Sequence, residues 1–186
     1  MKFNIALLLC FGLSISGCGD DPAGDLKLQR RQIDKKITPQ SLSVYTKLWD
    51  KPDLLKIENR QFPDGIRYTY NILKDEKNRI VYINEMPFSM KHDWFISYKS
   101  YFDTAGNLFA FQRQNNFLKN KCTKGAVLEN YTRYYDAKFK VIDSIYTLTD
   151  TKLKSVPRSK CVFPYNFPYK VIKTLKEYKK EKGIPD

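Results

Sequence analysis

Alternation of apolar and polar positions dominates the middle of the chain. Ile66, Tyr68 and Tyr70 fall on one side of an extended backbone, and Ile80 and Tyr82 resume that spacing after a polar break. Leu108, Ala110 and Gln112 interleave with Phe109 and Phe111. Val141, Asp143, Ile145 and Thr147 alternate with Ile142, Ser144, Tyr146 and Leu148. A period of two is what a half-buried strand requires. The polar breaks share a pattern. YNILKDEKNRI from Tyr70, YKSYFDTAGNL from Tyr98 and YTRYYDAKFKV from Tyr131 each open on tyrosine, reach aspartate five residues on, and end on a branched apolar residue. Asp75, Asp103 and Asp136 sit where a turn begins, and an aspartate there accepts a hydrogen bond from the backbone two residues on. Gly106 and Asn107 tolerate the positive φ of tight hairpin turns. The pattern predicts three β-hairpins, whose six strands form an antiparallel meander.

Helical spacing replaces alternation near both ends. Thr38 and Pro39 suit a helix start, since threonine caps free amides and proline has no amide to lose. Leu42, Tyr45, Leu48 and Trp49 then fall on one side, and Asp50 to Asp53, DKPD, ends the run. Leu26 to Lys35 reads equally as a weaker helix or as exposed tether. A C-terminal helix is expected from Tyr169 and Lys170, with Val171, Ile172, Leu175 and Tyr178 as its apolar stripe and Gly183 and Pro185 as its stop. The fold class expected is α+β: an antiparallel β-meander of about six strands, in three hairpin repeats, with flanking N- and C-terminal helices. The repeats resemble the hairpin repeats common in bacterial surface proteins, without matching the signature of any one family.

The first residues have a different character. Lys2 precedes an apolar run from Phe3 to about Ile15, too short for a membrane span of roughly 20 residues. A charged start, a short apolar core and small residues at its end make a secretory signal. The run closes on Ile15-Ser16-Gly17-Cys18, which resembles the lipobox of bacterial lipoproteins. The resemblance implies diacylglycerol on the Cys18 thiol, removal of residues 1–17 with Cys10, and a membrane anchor held by two or three acyl chains. Gly19 to Asp25 then reads as a flexible acidic tether. Its acidic residues also resemble the surface-export signal of lipoproteins in Bacteroidota-type bacteria, and a plain solvated linker fits as well. The expected organisation is residues 1–17 as lipoprotein signal peptide, 18–37 as lipidated cysteine and tether, and 38–186 as one α+β domain. The expected location is the bacterial cell envelope, lipid-anchored and at the outer membrane, with the periplasmic or surface side open.

An exported chain changes the reading of the remaining cysteines. Cys122 and Cys161 are expected to form a disulfide, the default in an oxidising compartment. A catalytic or metal-binding thiol is the alternative, and neither cysteine has a close partner for it. The formal net charge is +13. Lys170, Lys173, Lys176, Lys179 and Lys180 crowd the C-terminal segment, either as a solvated surface or as a face for an anionic partner such as lipid headgroups, lipopolysaccharide or an acidic protein. Nucleic acid is not an expected partner for a lipid-anchored exported protein.

Catalytic signatures are few. His92, the single histidine, neighbours Asp93 and Trp94. Adjacent strand residues point to opposite faces, so His92 and Asp93 would not meet side by side. The sequence holds no nucleophile elbow, phosphate loop or metal-ligand spacing. The expectation is a non-catalytic protein without cofactor or metal, binding a protein, peptide or glycan through a sheet face or edge strand. An immunity-type lipoprotein that neutralises a toxin is the alternative, and an envelope hydrolase with an unrecognised site is the second.

Overall fold

The computed structural model describes Asp21 and residues 23–91, 94–163 and 169–185. The signal segment, Cys10, Cys18, His92 and Asp93 lie outside the described residues, as do residues 164–168.

All three expected hairpins are present. β3 (Ile66–Lys74) pairs with β4 (Ile80–Pro87), β5 (Trp94–Phe102) with β6 (Leu108–Phe117), and β7 (Val127–Tyr135) with β8 (Val141–Asp150). Each turn uses its aspartate in the same way. The Oδ1 of Asp75 accepts from the amides of Lys77 and Arg79, that of Asp103 from Ala105 and Asn107, and that of Asp136 from Lys138 and Lys140. Three residues past each aspartate the backbone is left-handed, at Asn78, Gly106 and Phe139. The strand register shifts by one just before each turn, so every hairpin closes on a bulge. A fourth copy follows β8. Asp150 accepts from Lys152 and Lys154, with left-handed Leu153 between them.

The sheet has eight strands, not about six, in the order β2-β1-β3-β4-β5-β6-β7-β8, all antiparallel. The additional pair comes from the segment expected to be a helix. β1 (Leu42–Leu48) and β2 (Leu54–Lys56) are strands. Thr38 does not cap a helix. It forms a closed turn with Ser41, which binds the Thr38 hydroxyl and the Lys36 carbonyl. The segment LSVYTKL carries both periodicities, and its β-branched and aromatic residues fit a pleated surface. Pairing along all seven residues with β3 decides between them.

The two helices cover opposite faces of the sheet. α1 (Gly24–Lys36) is the weaker of the expected helices, and it is packed rather than free. It lies crosswise at the hairpin-turn end. Lys27 reaches Asp143 on β8 at 2.6 Å, Arg30 binds Tyr134 on β7 and Gln112 on β6, Asp34 accepts from Tyr101 on β5, and Lys36 faces Glu76 in the first turn at 3.8 Å. Ala23 and Ile33 join Leu73, Tyr82, Tyr101, Phe109 and Tyr134 in a core beneath it.

On the other face α2 (Leu175–Lys182) is shorter than expected. Tyr169 to Ile172 precede it, because residue 173 docks on the sheet instead: Leu108 donates to the Lys173 carbonyl and Leu175 to the Gly106 carbonyl. Thr174 then caps the helix, its hydroxyl accepting from Glu177, and Gly183 ends it with φ of 71°. Ile172, Tyr178 and Ile184 close the larger core over Tyr70, Ile72, Ile83, Ile96, Tyr98 and Phe102.

Cys122 and Cys161 are disulfide-bonded, at a sequence separation of 39. The bond staples the loop after β6 to the segment after β8, above a small cluster with Val127 and Leu148.

Candidate interaction surface

One register line crosses the whole sheet on the α2 side. Reading outward from β2 it runs Lys56, Tyr45, Tyr70, Glu85, Tyr98, Arg113, Tyr131 and Tyr146, one residue from each strand. Five tyrosines thus share a line with one carboxylate and one guanidinium near its centre. Cross-strand neighbours on one face are close enough to interact directly.

The half of this line nearer β4 is sealed. Glu85 is 2% exposed, and its Oε2 accepts from Tyr178 at 2.8 Å and Tyr169 at 3.1 Å. Its Oε1 pairs with Lys182 at 3.1 Å. Tyr169 stacks on Tyr98 with ring centres 4.0 Å apart, and on Phe111 at 5.3 Å. A pocket of about 200 Å³ opens above this network, between Tyr68, Pro87 and Lys182. Burial, with Glu85 beside them, pushes the Tyr169 and Tyr178 phenols well above their ordinary range, and burial raises Tyr98 to about 12. At neutral pH the Tyr169 and Tyr178 phenols donate to Glu85, and the Tyr178 bond fixes α2 to the sheet.

The half nearer β8 is more open. Glu129, 5% exposed, accepts from Tyr146 at 3.1 Å and pairs with Arg113 at 3.1 Å, and Asn115 also donates to it. Arg133 donates to the Tyr131 hydroxyl at 2.6 Å and lies over its ring. Two polar atoms here, Arg113 Nε and Asn115 Oδ1, are buried without a partner. Tyr146 is 44% exposed, as is Ile145, and Val141 is also exposed.

β8 is the last strand of the sheet, and residues 154–156 fold back against the end of its outer edge. The hydrogen bonds at its end set the phase. Val156 donates to the Leu148 carbonyl and Asp150 to the Lys154 carbonyl, so even-numbered residues turn their amides outward. By the same alternation Ser144 and Tyr146 turn their amides away from β7, and the bulge at Ile142 interrupts the phase nearer the turn. Among the described residues nothing pairs with this edge from Val141 to Thr147. The strand holds no proline, glycine or lysine, the residues that commonly blunt an edge. The opposite edge, β2, is three residues long.

The five C-terminal lysines do not share one helix face. Lys170 pairs with Glu181 at 3.0 Å, and Lys173 lies in the stretch docked on β6. Lys176, Lys179 and Lys180 are on α2. No group of three histidine, cysteine or acidic side chains among the described residues is placed to hold a metal ion, and none of the described helices is long and apolar enough to cross a membrane. Glu85, Glu129 and the open strand edge escaped sequence reasoning. The alternation shows that a residue lies on a face, but not which face is covered.

No protein-family model matches this chain, and no curated protein or solved structure matches it.

Proposed function

We propose that the protein is a lipid-anchored component of a bacterial cell envelope that binds, without catalysis, an extended segment of a protein partner along the edge of β8. Cys18, placed as in a lipobox, is the anchoring residue of this reading. The observation that carries the binding role is the β8 edge from Val141 to Thr147, with which no described residue pairs. A long edge left open is a template for another strand, and natural proteins usually block such edges. A ninth strand would extend the tyrosine line beyond Tyr146 and bring its side chains beside Glu129, Tyr131 and Arg133. A toxin neutralised at the membrane would use the same edge and differs only in the partner's identity.

The edge reading is tested with two proline variants. Ser144→Pro removes an outward amide, and proline is tolerated where the N–H faces solvent. The melting temperature should stay within a few degrees, while a partner recovered with the wild-type protein from solubilised envelopes is lost. Thr147→Pro removes an amide facing β7 and should cost about 1 kcal/mol or more. Equal partner recovery by Ser144→Pro and wild type would refute the edge site. For the anchor, Cys18→Ala should release the protein from membranes or trap its precursor, and unchanged processing and retention would remove the lipid.

A further inference from the structure

The placement of Asp21 and Ala23 against α1 and β8 decides which end of the sheet an anchor on Cys18 can reach. Lys27 holds the Asp21 carboxylate at 3.0 Å and Asp143, near the start of β8, at 2.6 Å. Ala23 is fully buried in the core under α1. Asp21 therefore sits at the corner where β8 leaves the third hairpin turn. Only Gly19 and Asp20 separate it from Cys18. Three residues span at most about 11 Å when fully extended. Acyl chains on Cys18 would hold that corner close to the bilayer surface.

The corner belongs to an end of the molecule with a common character. All three hairpin turns lie there, α1 runs along it, and α2 starts there against Gly106. Lys36, Lys77, Lys138, Lys140, Lys173 and Lys176 are exposed at this end. The aspartates of the turns fold back onto their own backbone amides. Lysines also occur at the far end, at Lys119, Lys121 and Lys124, so charge alone does not choose an orientation. The short tether does. Attraction between lysines and an anionic surface acts within a Debye length of about 8–10 Å, which is comparable to the tether's reach.

We infer that the hairpin-turn end is a membrane-docking surface, seated on the phosphate headgroups of the bilayer that holds the anchor. This rests on the reading of Cys18 as lipidated. It sets the strands upright on the membrane, with the β8 edge running away from it and the disulfide-stapled loops at the tip.

The test uses the acylated protein reconstituted into vesicles of phosphatidylcholine, with and without phosphatidylglycerol, and maps lysine acetylation by mass spectrometry. Lys138, Lys140 and Lys176 should label about fivefold more slowly on the anionic vesicles, the factor equivalent to one lysine–headgroup attraction. Lys119, Lys121 and Lys124 should not change. High salt should erase the difference and leave the acyl mass in place, and in the triple variant Lys138→Glu, Lys140→Glu, Lys176→Glu the lysines kept at this end, Lys36, Lys77 and Lys173, should label alike on both vesicle types. An intact mass without acyl chains on Cys18 overturns anchor and docking together. Acylated protein whose two ends label alike overturns the docking alone. Equal protection on both vesicle types removes the headgroup charge from the account, and protection found only in native envelopes assigns the surface to an acidic protein instead.

Discussion

Asp103 shows how much of a hairpin one side chain can carry. Its Oδ1 accepts from two backbone amides, at 2.9 and 2.8 Å, that would otherwise be left to water. Asp103→Ala should cost about 1 kcal/mol, the net worth of an exposed hydrogen bond, read as a lower denaturation midpoint. Asn107→Pro deletes one of these donors and should lower the melting temperature in the same direction. The left-handed positions are less uniform. Leu153 has φ of 61° and is 76% exposed, so Leu153→Asn should gain about 0.5 kcal/mol by relieving backbone strain. Phe139 has the same conformation, but its ring stacks on Tyr135 at 4.6 Å, so Phe139→Asn should destabilise. Three of the four turn aspartates were visible in the sequence through their tyrosines. Asp150 was not, because Tyr146 precedes it by four residues rather than five. The chemistry it performs is the same.

At the scale of elements, α2 is held by charge as much as by apolar contact. It has eight residues, too few for a stable isolated helix. Tyr178 and Lys182 both reach Glu85, far away in sequence. Removing one partner of a buried ion pair costs about 3–5 kcal/mol. Glu85→Ala should approach that loss in a denaturant titration, and Glu85→Gln should cost less because its amide oxygen still accepts from a phenol. The capping pair Thr174 and Glu177 was a legible signal for the true helix start, whereas the apolar spacing from Val171 suggested an earlier one. Docking of residue 173 on β6 overrides that spacing. The same contest went the other way for β1, where seven ladder partners on β3 outweigh a helical stripe of four residues. The disulfide is also an element-scale device. Closing its loop should contribute about 4 kcal/mol through the unfolded chain, and replacing both cysteines with serine should show that loss in the melting temperature.

The whole molecule stores many buried phenols, and this gives it a characteristic response to alkali. Tyr70, Tyr98, Tyr101, Tyr169 and Tyr178 are all raised above the ordinary value near 10, chiefly by burial. Above about pH 10 the unfolded chain releases these protons while the folded chain keeps them. The folded state then binds more protons, so stability is complete below pH 10 and falls as pH rises toward 12 and beyond. Circular dichroism and the share of phenolate absorbance that belongs to these five of the thirteen tyrosines should change together in one cooperative transition. Full phenolate absorbance, from all thirteen tyrosines, reached near pH 10 with the fold intact would show that these hydroxyls are open to water.

What the sequence determined by itself was local. Alternation, turn aspartates, the glycine stop of α2 and the existence of hairpins depend on neighbours a few residues apart, and those interactions form wherever the segment lies. Tertiary structure alone decided that Leu42 to Leu48 is a strand, that α1 runs crosswise against Tyr101 and Tyr134, and that tyrosines from five strands share one line across the sheet. It also decided which glutamates are buried. Burying a charge is tolerable only when donors arrive from elsewhere, and for Glu85 they arrive from a helix 93 residues away. Such distances leave no mark in a local pattern, because the energy belongs to the pair and exists only once the sheet has assembled.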